Sequence, residues 1–389
     1  MVCRVAIVGV GLTKTATRRN DVTHPELMLE AVNAALKDAD IGIGDVESVV
    51  YGTMDPFDGI NCPDKWDADA CGGGGLNKPY MKVTTGGTTG ISVALAGYYH
   101  VASGLFDTCM AVGCQRVGEN VDAQLVLNTC VDPIYERYSG WGAITVGAVQ
   151  AARHMAKYGT TEEQLAMVSV KNHDAATRNP YAHLRFKVTV EDVLNSRLIS
   201  WPLRLLDCCP RSDGACALIF ASEDKVREIT DTPAWVKAAG SIADTYWAGD
   251  KPDPADWDSL AMLARRIYRK AKIEDPLREL DVAELYNPFT IQEILEYEAL
   301  GFCRKGEGGK LVEEGVTDMG GDLPCDPSGG VLCTNPIGAT AMIRVAEAAL
   351  QVMGKAGDRQ VPDVETALAH GWGGQFQFHG LMILSRNRP

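Results

Sequence analysis

A chain of 389 residues with 46% hydrophobic content is long enough to bury a sizeable core, which excludes a disordered protein. The formal net charge of −14, with no clustered run of Lys and Arg, excludes a nucleic-acid surface and points to small molecules or protein as partners. Nowhere do about 18 apolar residues run uninterrupted, and the apolar N-terminal stretch is too short for a secretory signal, so a cytoplasmic protein with no membrane span is expected.

In chain order, residues 5–9 read as a buried strand, residues 25–38 as an amphipathic helix with Pro25 at its start, and residues 46–51 as a second strand. This is a βαβ opening. Residues 84–104 form a glycine-rich turn, an apolar helix and a glycine stop, followed by a strand at residues 106–112. The stretch at about residues 119–207 is polar and aromatic and reads as an insertion carrying binding loops. A strand at residues 214–221 closes this part.

The same succession then returns. A strand at residues 234–239, a helix at 258–272 and a strand at 282–286 end in Asn287-Pro288-Phe289, as the earlier unit ends in Asp55-Pro56-Phe57. Residues 335–354 repeat the turn and apolar helix, and strands at 364–369 and 379–385 follow. The pattern predicts two similar α/β halves, residues 1–230 with the insertion and residues 231–389. Mostly parallel sheets covered on both faces are expected.

The twelve cysteines include no pair at CxxC spacing, so no metal is expected in this chain. Cys109, Cys114, Cys208, Cys209 and Cys216 lie in apolar, strand-like segments and are expected as buried thiols.

Several strings carry a wider resemblance: Ser196-Arg197 through Pro202-Leu203-Arg204-Leu205-Leu206-Asp207, Ser212-Asp213-Gly214-Ala215, Glu296-Tyr297-Glu298-Ala299-Leu300-Gly301, Gly306-Glu307-Gly308, Ser328-Gly329-Gly330 and Asn335-Pro336-Ile337-Gly338-Ala339-Thr340. Together, and in this order, they resemble the thiolase superfamily, in particular its SCP2-type (sterol-carrier-protein-like) branch and the archaeal-type thiolases. The resemblance implies an α/β thiolase fold with duplicated halves in five α-β-α-β-α layers, a homodimer, and chemistry on acyl-CoA thioesters with coenzyme A as co-substrate. Branch members that act in steroid side-chain removal or in anaerobic aromatic β-oxidation also lack parts of the standard site. They work with a separately encoded zinc-ribbon and OB-fold subunit of the DUF35 type, and such a partner is implied here.

In that family a reactive Cys at the start of the first half's central helix takes the acyl group. The matching position here is Gly87, in Thr84-Thr85-Gly86-Gly87-Thr88-Thr89-Gly90, and a glycine cannot carry an acyl group. Where the family has Gly-His-Pro, this chain has Asn335-Pro336, and Asn can donate to an oxyanion but cannot act as a base. The loop after the second strand is retained in modified form as Asn287-Pro288-Phe289-Thr290, making Asn287 and Phe289 substrate-binding candidates. His370-Gly371-Trp372-Gly373-Gly374 matches the archaeal-type C-terminal loop, with His370 as acid/base and Gly373 and Gly374 beside substrate.

Three routes bypass the missing cysteine. Cys333, whose loop is expected to enter the pocket, substitutes as nucleophile; or coenzyme A attacks a β-keto thioester directly, with His370 taking the thiol proton; or a β-hydroxyacyl thioester undergoes retro-aldol cleavage. All three need donors for the thioester oxygen, which the Gly86 and Gly87 amides with Asn335 would supply. Glu284 or Glu293 would be a base flanking the Asn287 loop. Tyr51, Trp66, Tyr135 and Trp141 would suit a bulky or aromatic acyl group. The expected activity is CoA-dependent thiolysis of a bulky, aromatic-compatible β-ketoacyl-CoA by a thiolase-type acyltransferase in a degradative β-oxidation-like pathway. The alternatives are a retro-aldolase, which is a carbon-carbon lyase, and a non-catalytic acyl-CoA-binding subunit.

Overall fold

The computed structural model describes residues 3–60, 62–117 and 122–389. Nine strands form one sheet: β1 Val5–Leu12, β2 Ser48–Gly52, β3 Tyr80–Lys82, β4 Thr108–Arg116, β5 Asp213–Ser222, β6 Ala234–Ala243, β7 Val282–Glu284, β8 Thr366–Gly373 and β9 Phe378–Ser385. The principal helices are α1 His24–Ala39, α2 Thr89–Ala102, α3 Ala143–Tyr158, α4 Glu162–Ala176, α5 Asp258–Ala271, α6 Thr290–Ala299 and α7 Ile337–Met353. The expected insertion begins at residue 119, which lies outside the described residues; its described part contains α3, α4 and a small hairpin, Leu198–Ser200 with Leu203–Arg204.

The strand order is β3-β2-β4-β5-β1-β6-β9-β8-β7. From β1 outward, the order β1-β5-β4-β2 is matched by β6-β9-β8-β7, as two copies of one βαβ plan require. The copies join where Ala6 pairs with Trp235 and Ile7 with Ala234. The expectation of mostly parallel sheets is corrected: β2 is parallel to β3 and β4, and β7 to β8, while the other five pairings are antiparallel. In each copy the late strand, β5 or β9, returns antiparallel. It is as buried as β4 or β8, which do have parallel partners, so its composition carries no mark of direction.

Helix α1 starts at a capping box in which Thr23 and Glu26 satisfy each other's backbone N–H groups, and it covers the outer face of β1 and β5. Helix α5 covers β6 and β9. Helices α2 and α7 pack on each other and touch strands from both ends of the sheet, which therefore wraps around them. Every residue of α7 from Gly338 to Met353 is buried, as befits a central helix with no solvent face. The layers run α1, first half-sheet, α2 with α7, second half-sheet, α5. No helix among the described residues is long and apolar enough to cross a membrane.

Candidate active site

Parallel strands β2, β4, β7 and β8 all point their carboxyl ends at one cavity of about 660 Å³. The N-termini of α2 and α7 reach the same place, through Gly86 and Gly87 for α2 and Asn335 and Ile337 for α7. Ligands in α/β folds bind beyond the carboxyl ends of strands, and two converging helix N-termini add positive partial charge for an anion. Six of the eleven candidate residues line this cavity: Gly86, Gly87, Phe289, Asn335, Gly373 and Gly374.

The packing around Gly87 is tight. An ideal Cβ there would sit 3.0 Å from the Trp372 carbonyl oxygen, 3.3 Å from the Gly373 Cα and 3.6 Å from the Tyr286 hydroxyl. Gly373 is constrained reciprocally, since a Cβ on it would lie 2.7 Å from the Gly87 nitrogen and closer still to that of Thr88. The β8 terminus thus presses its bare backbone against the start of α2, and the phenol of Tyr286 projects toward the space beside Gly87.

Tyr286 lies two residues beyond the end of β7 and is held at both backbone groups. Its N–H donates to Glu296 Oε1 at 3.2 Å, and its carbonyl accepts from Trp372 Nε1 at 2.7 Å. The Tyr286 and Trp372 rings meet edge to face at 5.5 Å. Burial pushes the Tyr286 phenol well above its ordinary pKa, with the neighbouring Cys209 adding to the shift, so it stays protonated. Sequence reading missed this residue because an aromatic at a strand end reads as core. The signal was its position, just past the carboxyl end of a strand in an α/β unit.

Asn335 is fixed by three hydrogen bonds. Its Nδ2 donates to Cys209 Sγ at 3.1 Å, its Oδ1 accepts from Thr340 Oγ1 at 2.8 Å, and its N–H donates to Ser212 Oγ at 3.1 Å. Cys208 and Cys209 correct another expectation. They follow a short 3₁₀ turn rather than forming a strand, and both line the cavity. Desolvation pushes the Cys209 thiol up to about 12, against the opposing pull of the Asn335 hydrogen bond, so it carries little thiolate at neutral pH.

The other five candidates lie off the wall. His370 is a fully buried residue of β8, with Nδ1 2.8 Å from Glu296 Oε1 and Nε2 3.3 Å from His379 Nδ1. Burial drives the His370 pKa down and the Glu296 pKa up, so the pair shares a hydrogen bond without charge, although its distance would also suit an ion pair. His370 holds Glu296, which in turn holds the Tyr286 backbone N–H, and it does not line the cavity. Cys333 sits in the helical turn Gly330–Cys333, fully buried, and desolvation pushes its thiol far up.

Glu284 is buried against Arg344 Nη1 at 2.6 Å and Ser328 Oγ at 2.7 Å, and desolvation raises its carboxyl to about 7 despite the guanidinium. Asn287 is a clamp: its Nδ2 donates to Glu293 Oε2 at 2.6 Å and its Oδ1 accepts from Val331 N at 2.7 Å. Glu293 is likewise consumed by Asn172, Asn287 and Lys171.

The aromatic wall differs from the one expected. Tyr51 is buried with its hydroxyl on Asp67 at 2.6 Å, Trp66 and Tyr135 are exposed, and Trp141 lines a neighbouring chamber. The cavity is walled instead by Phe57, Tyr286, Phe289, Trp372, Phe376 and Phe378.

Two family profiles match almost the full length: "Thiolase, N-terminal domain" over residues 5–224 and "Thiolase C-terminal domain-like" over residues 240–386. The chain is 38% identical over 383 residues to an acetyl-CoA acetyltransferase of Methanothermobacter thermautotrophicus, covering 98% of this chain and 99% of that one. It is 31% identical over 379 residues to the benzoylsuccinyl-CoA thiolase subunit BbsB of Thauera aromatica, covering 95% of each. A solved structure described as an Ltp2-ChsH2(DUF35) aldolase superposes with a TM-score of 0.85 at 26% identity, over 100% of this chain and 99% of that one.

Proposed function

The chain belongs to the thiolase family, and from that premise we propose that it cleaves or forms the Cα–Cβ bond of a bulky acyl-CoA thioester without an acyl-enzyme, by retro-aldol chemistry on a β-hydroxyacyl-CoA. The observation that carries this reading is the Tyr286 hydroxyl beside Gly87, a proton-transfer group at the position where the family resemblance expects a nucleophile. As the Cα–Cβ bond breaks, the phenol oxygen accepts the β-hydroxyl proton and the phenol proton passes to Cα. A carbonyl product and a shortened thioester leave, and the protons balance on one residue. The charge that flows transiently onto the thioester oxygen faces the N-termini of α2 and α7 and the Asn335 amide.

Arg197 and Arg211 line the cavity and are solvent-exposed, placing two cations at its mouth in an otherwise acidic protein, which suits the phosphates of coenzyme A. The aromatic wall suits a bulky or aromatic acyl group. The likeness to a DUF35-containing aldolase supports a small DUF35-type subunit as partner, and we propose a cytoplasmic homodimer, as the family resemblance implies.

A second reading, CoA-dependent thiolysis of a β-ketoacyl-CoA, is favoured by the acetyltransferase and thiolase relatives and by the thiol of Cys209 on the cavity wall. Incubating the protein with matched β-hydroxyacyl-CoA and β-ketoacyl-CoA, with and without free coenzyme A, separates the two. Retro-aldol chemistry gives a carbonyl product and a shorter thioester with no added coenzyme A. Thiolysis gives two thioesters from the keto substrate only when coenzyme A is present, and a non-catalytic subunit gives neither.

A further inference from the structure

Next to the main cavity lies a second chamber of about 390 Å³, between the insertion and the second half of the chain. The two share Val146, Gln375 and Phe376 as a common wall. Gln375 is a side-chain partition: its Oε1 accepts from Trp141 Nε1 at 2.6 Å and its Nε2 donates to Glu136 Oε2 at 3.0 Å. A rotamer change at Gln375 would break both hydrogen bonds and widen the passage beside Val146 and Phe376.

Two residues on the chamber wall carry buried donors with no hydrogen-bond partner. They are Gln150 Nε2, whose companion Oε1 accepts from Gln292, and Trp257 Nε1. Gln150 is 1% and Trp257 4% exposed. Unmet buried N–H groups are rare in folded proteins, and two of them on residues of one chamber wall suit an acceptor oxygen brought by a ligand. The rest of the wall says which acceptor. Trp257 stacks on Phe376 at 4.8 Å and meets Trp372 edge-on at 5.7 Å, so apolar surface runs from the main cavity into the chamber. Glu136, Asp244, Asp250, Asp256 and Asp258 line it as well, with Lys251, whose Nζ donates to the Phe376 carbonyl at 2.9 Å and lies 3.7 Å from Asp244, and this net acidic lining disfavours an anionic group.

We propose that this chamber is a distal acyl subsite, receiving the far end of an extended hydrocarbon acyl group through the Gln375 partition and holding a neutral carbonyl or hydroxyl oxygen on that end with Gln150 and Trp257. The assignment rests on the acyl-CoA reading above and narrows its substrate class: long, bulky, and tipped with an uncharged oxygen rather than a carboxylate.

The test is binding, which does not depend on which reaction the enzyme performs. Affinities of the full-length protein, with any co-purifying subunit retained, are measured by calorimetry for four saturated, non-cleavable acyl-CoA thioesters: a short bulky acyl group, an extended hydrocarbon one, and the extended one ending in a ketone or in a carboxylate. The ketone-tipped thioester is expected to bind at least tenfold tighter than its hydrocarbon analogue, and the carboxylate-tipped one more weakly than either. Gln150→Glu, which keeps the acceptor for Gln292 and removes the donor, and Trp257→Phe, which keeps an aromatic ring, each remove the ketone advantage while the short thioester binds as before. Equal affinity for ketone and hydrocarbon tips, or an advantage that survives in Gln150→Glu, overturns the subsite while leaving the acyl-CoA reading intact. Failure of every thioester, the short one included, overturns both.

Discussion

The hydroxyl of Tyr286 lies 3.6 Å from the point that a Cβ on Gly87 would occupy. A side chain at position 87 would touch that phenol and press on the Trp372 carbonyl. The proposed chemistry places the phenol at the reacting bond, and the first prediction follows from it. Tyr286→Phe keeps the ring contact with Trp372 and removes only the hydroxyl. Steady-state kinetics should show kcat reduced by about 10²-fold or more, the usual scale for losing a general acid–base group, with KM changed little.

Gly87→Cys should not convert the protein into a cysteine-dependent enzyme. The added Cβ sits 3.0 Å from the Trp372 backbone carbonyl, which must shift to admit it, so urea unfolding should show a loss of about 1–3 kcal/mol. Turnover should fall along with it. A variant that gains CoA-dependent activity at unchanged stability would contradict this.

Cys333→Ala should leave kcat within about threefold of wild type, under 1 kcal/mol of transition-state free energy, because the thiol lies in the core. Its cost should appear in stability alone. Arg344→Met, by contrast, leaves the buried Glu284 carboxyl without its guanidinium partner and should be destabilising in chemical denaturation, by more as the pH rises above 7, or prevent folding.

Arg197→Ala and Arg211→Ala should raise KM for acyl-CoA several-fold with little change in kcat. They stand at the mouth of the cavity, away from the bond that breaks. The wild-type affinity for free coenzyme A should fall with added salt, and this dependence should be shallower in each variant.

Acid should weaken the fold through His379. Burial, reinforced by Lys251, lowers its pKa from the ordinary 6.5 to about 3 in the native state. Above pH about 6.5 both folded and unfolded states hold it neutral, so it imposes no penalty there. As the pH falls below that value, the unfolded chain takes a proton that the native site refuses, and stability is lost at up to about 1.4 kcal/mol per pH unit. The carboxylates with raised pKa values act in the opposite sense, so the comparison is made between wild type and His379→Asn. Measured by urea unfolding from pH 4 to 7, the stability of wild type relative to the variant should fall toward acid.

Periodicity made the repeated strand-helix-strand plan legible, because alternating apolar runs and amphipathic helices show it directly at residues 5–51 and 234–286. Strand direction was not legible: β5 and β9 are as buried as β4 and β8, and only the connections turn them antiparallel. In the site, the glycines near α2 and at the end of β8 were legible because backbone must approach backbone there, and Asn335 because it stands at a helix start. Proximity along the chain misled elsewhere. Cys333 is two residues from Asn335, yet its helical turn buries the thiol, and Asn287 is beside Tyr286, yet its amide is consumed by Glu293 and Val331. Tyr286 and Cys209 were hidden because an aromatic or a thiol in an apolar run reads as core until the cavity is seen.

The central claim, cleavage without an acyl-enzyme, is tested most directly by intact-protein mass spectrometry of acid-quenched turnover mixtures, using β-hydroxyacyl-CoA and β-ketoacyl-CoA in turn. The account predicts unmodified protein at every time point while shortened thioester accumulates. A mass increase equal to the acyl group, removed by Cys209→Ala, would contradict it and make this chain a thiolase with a relocated cysteine.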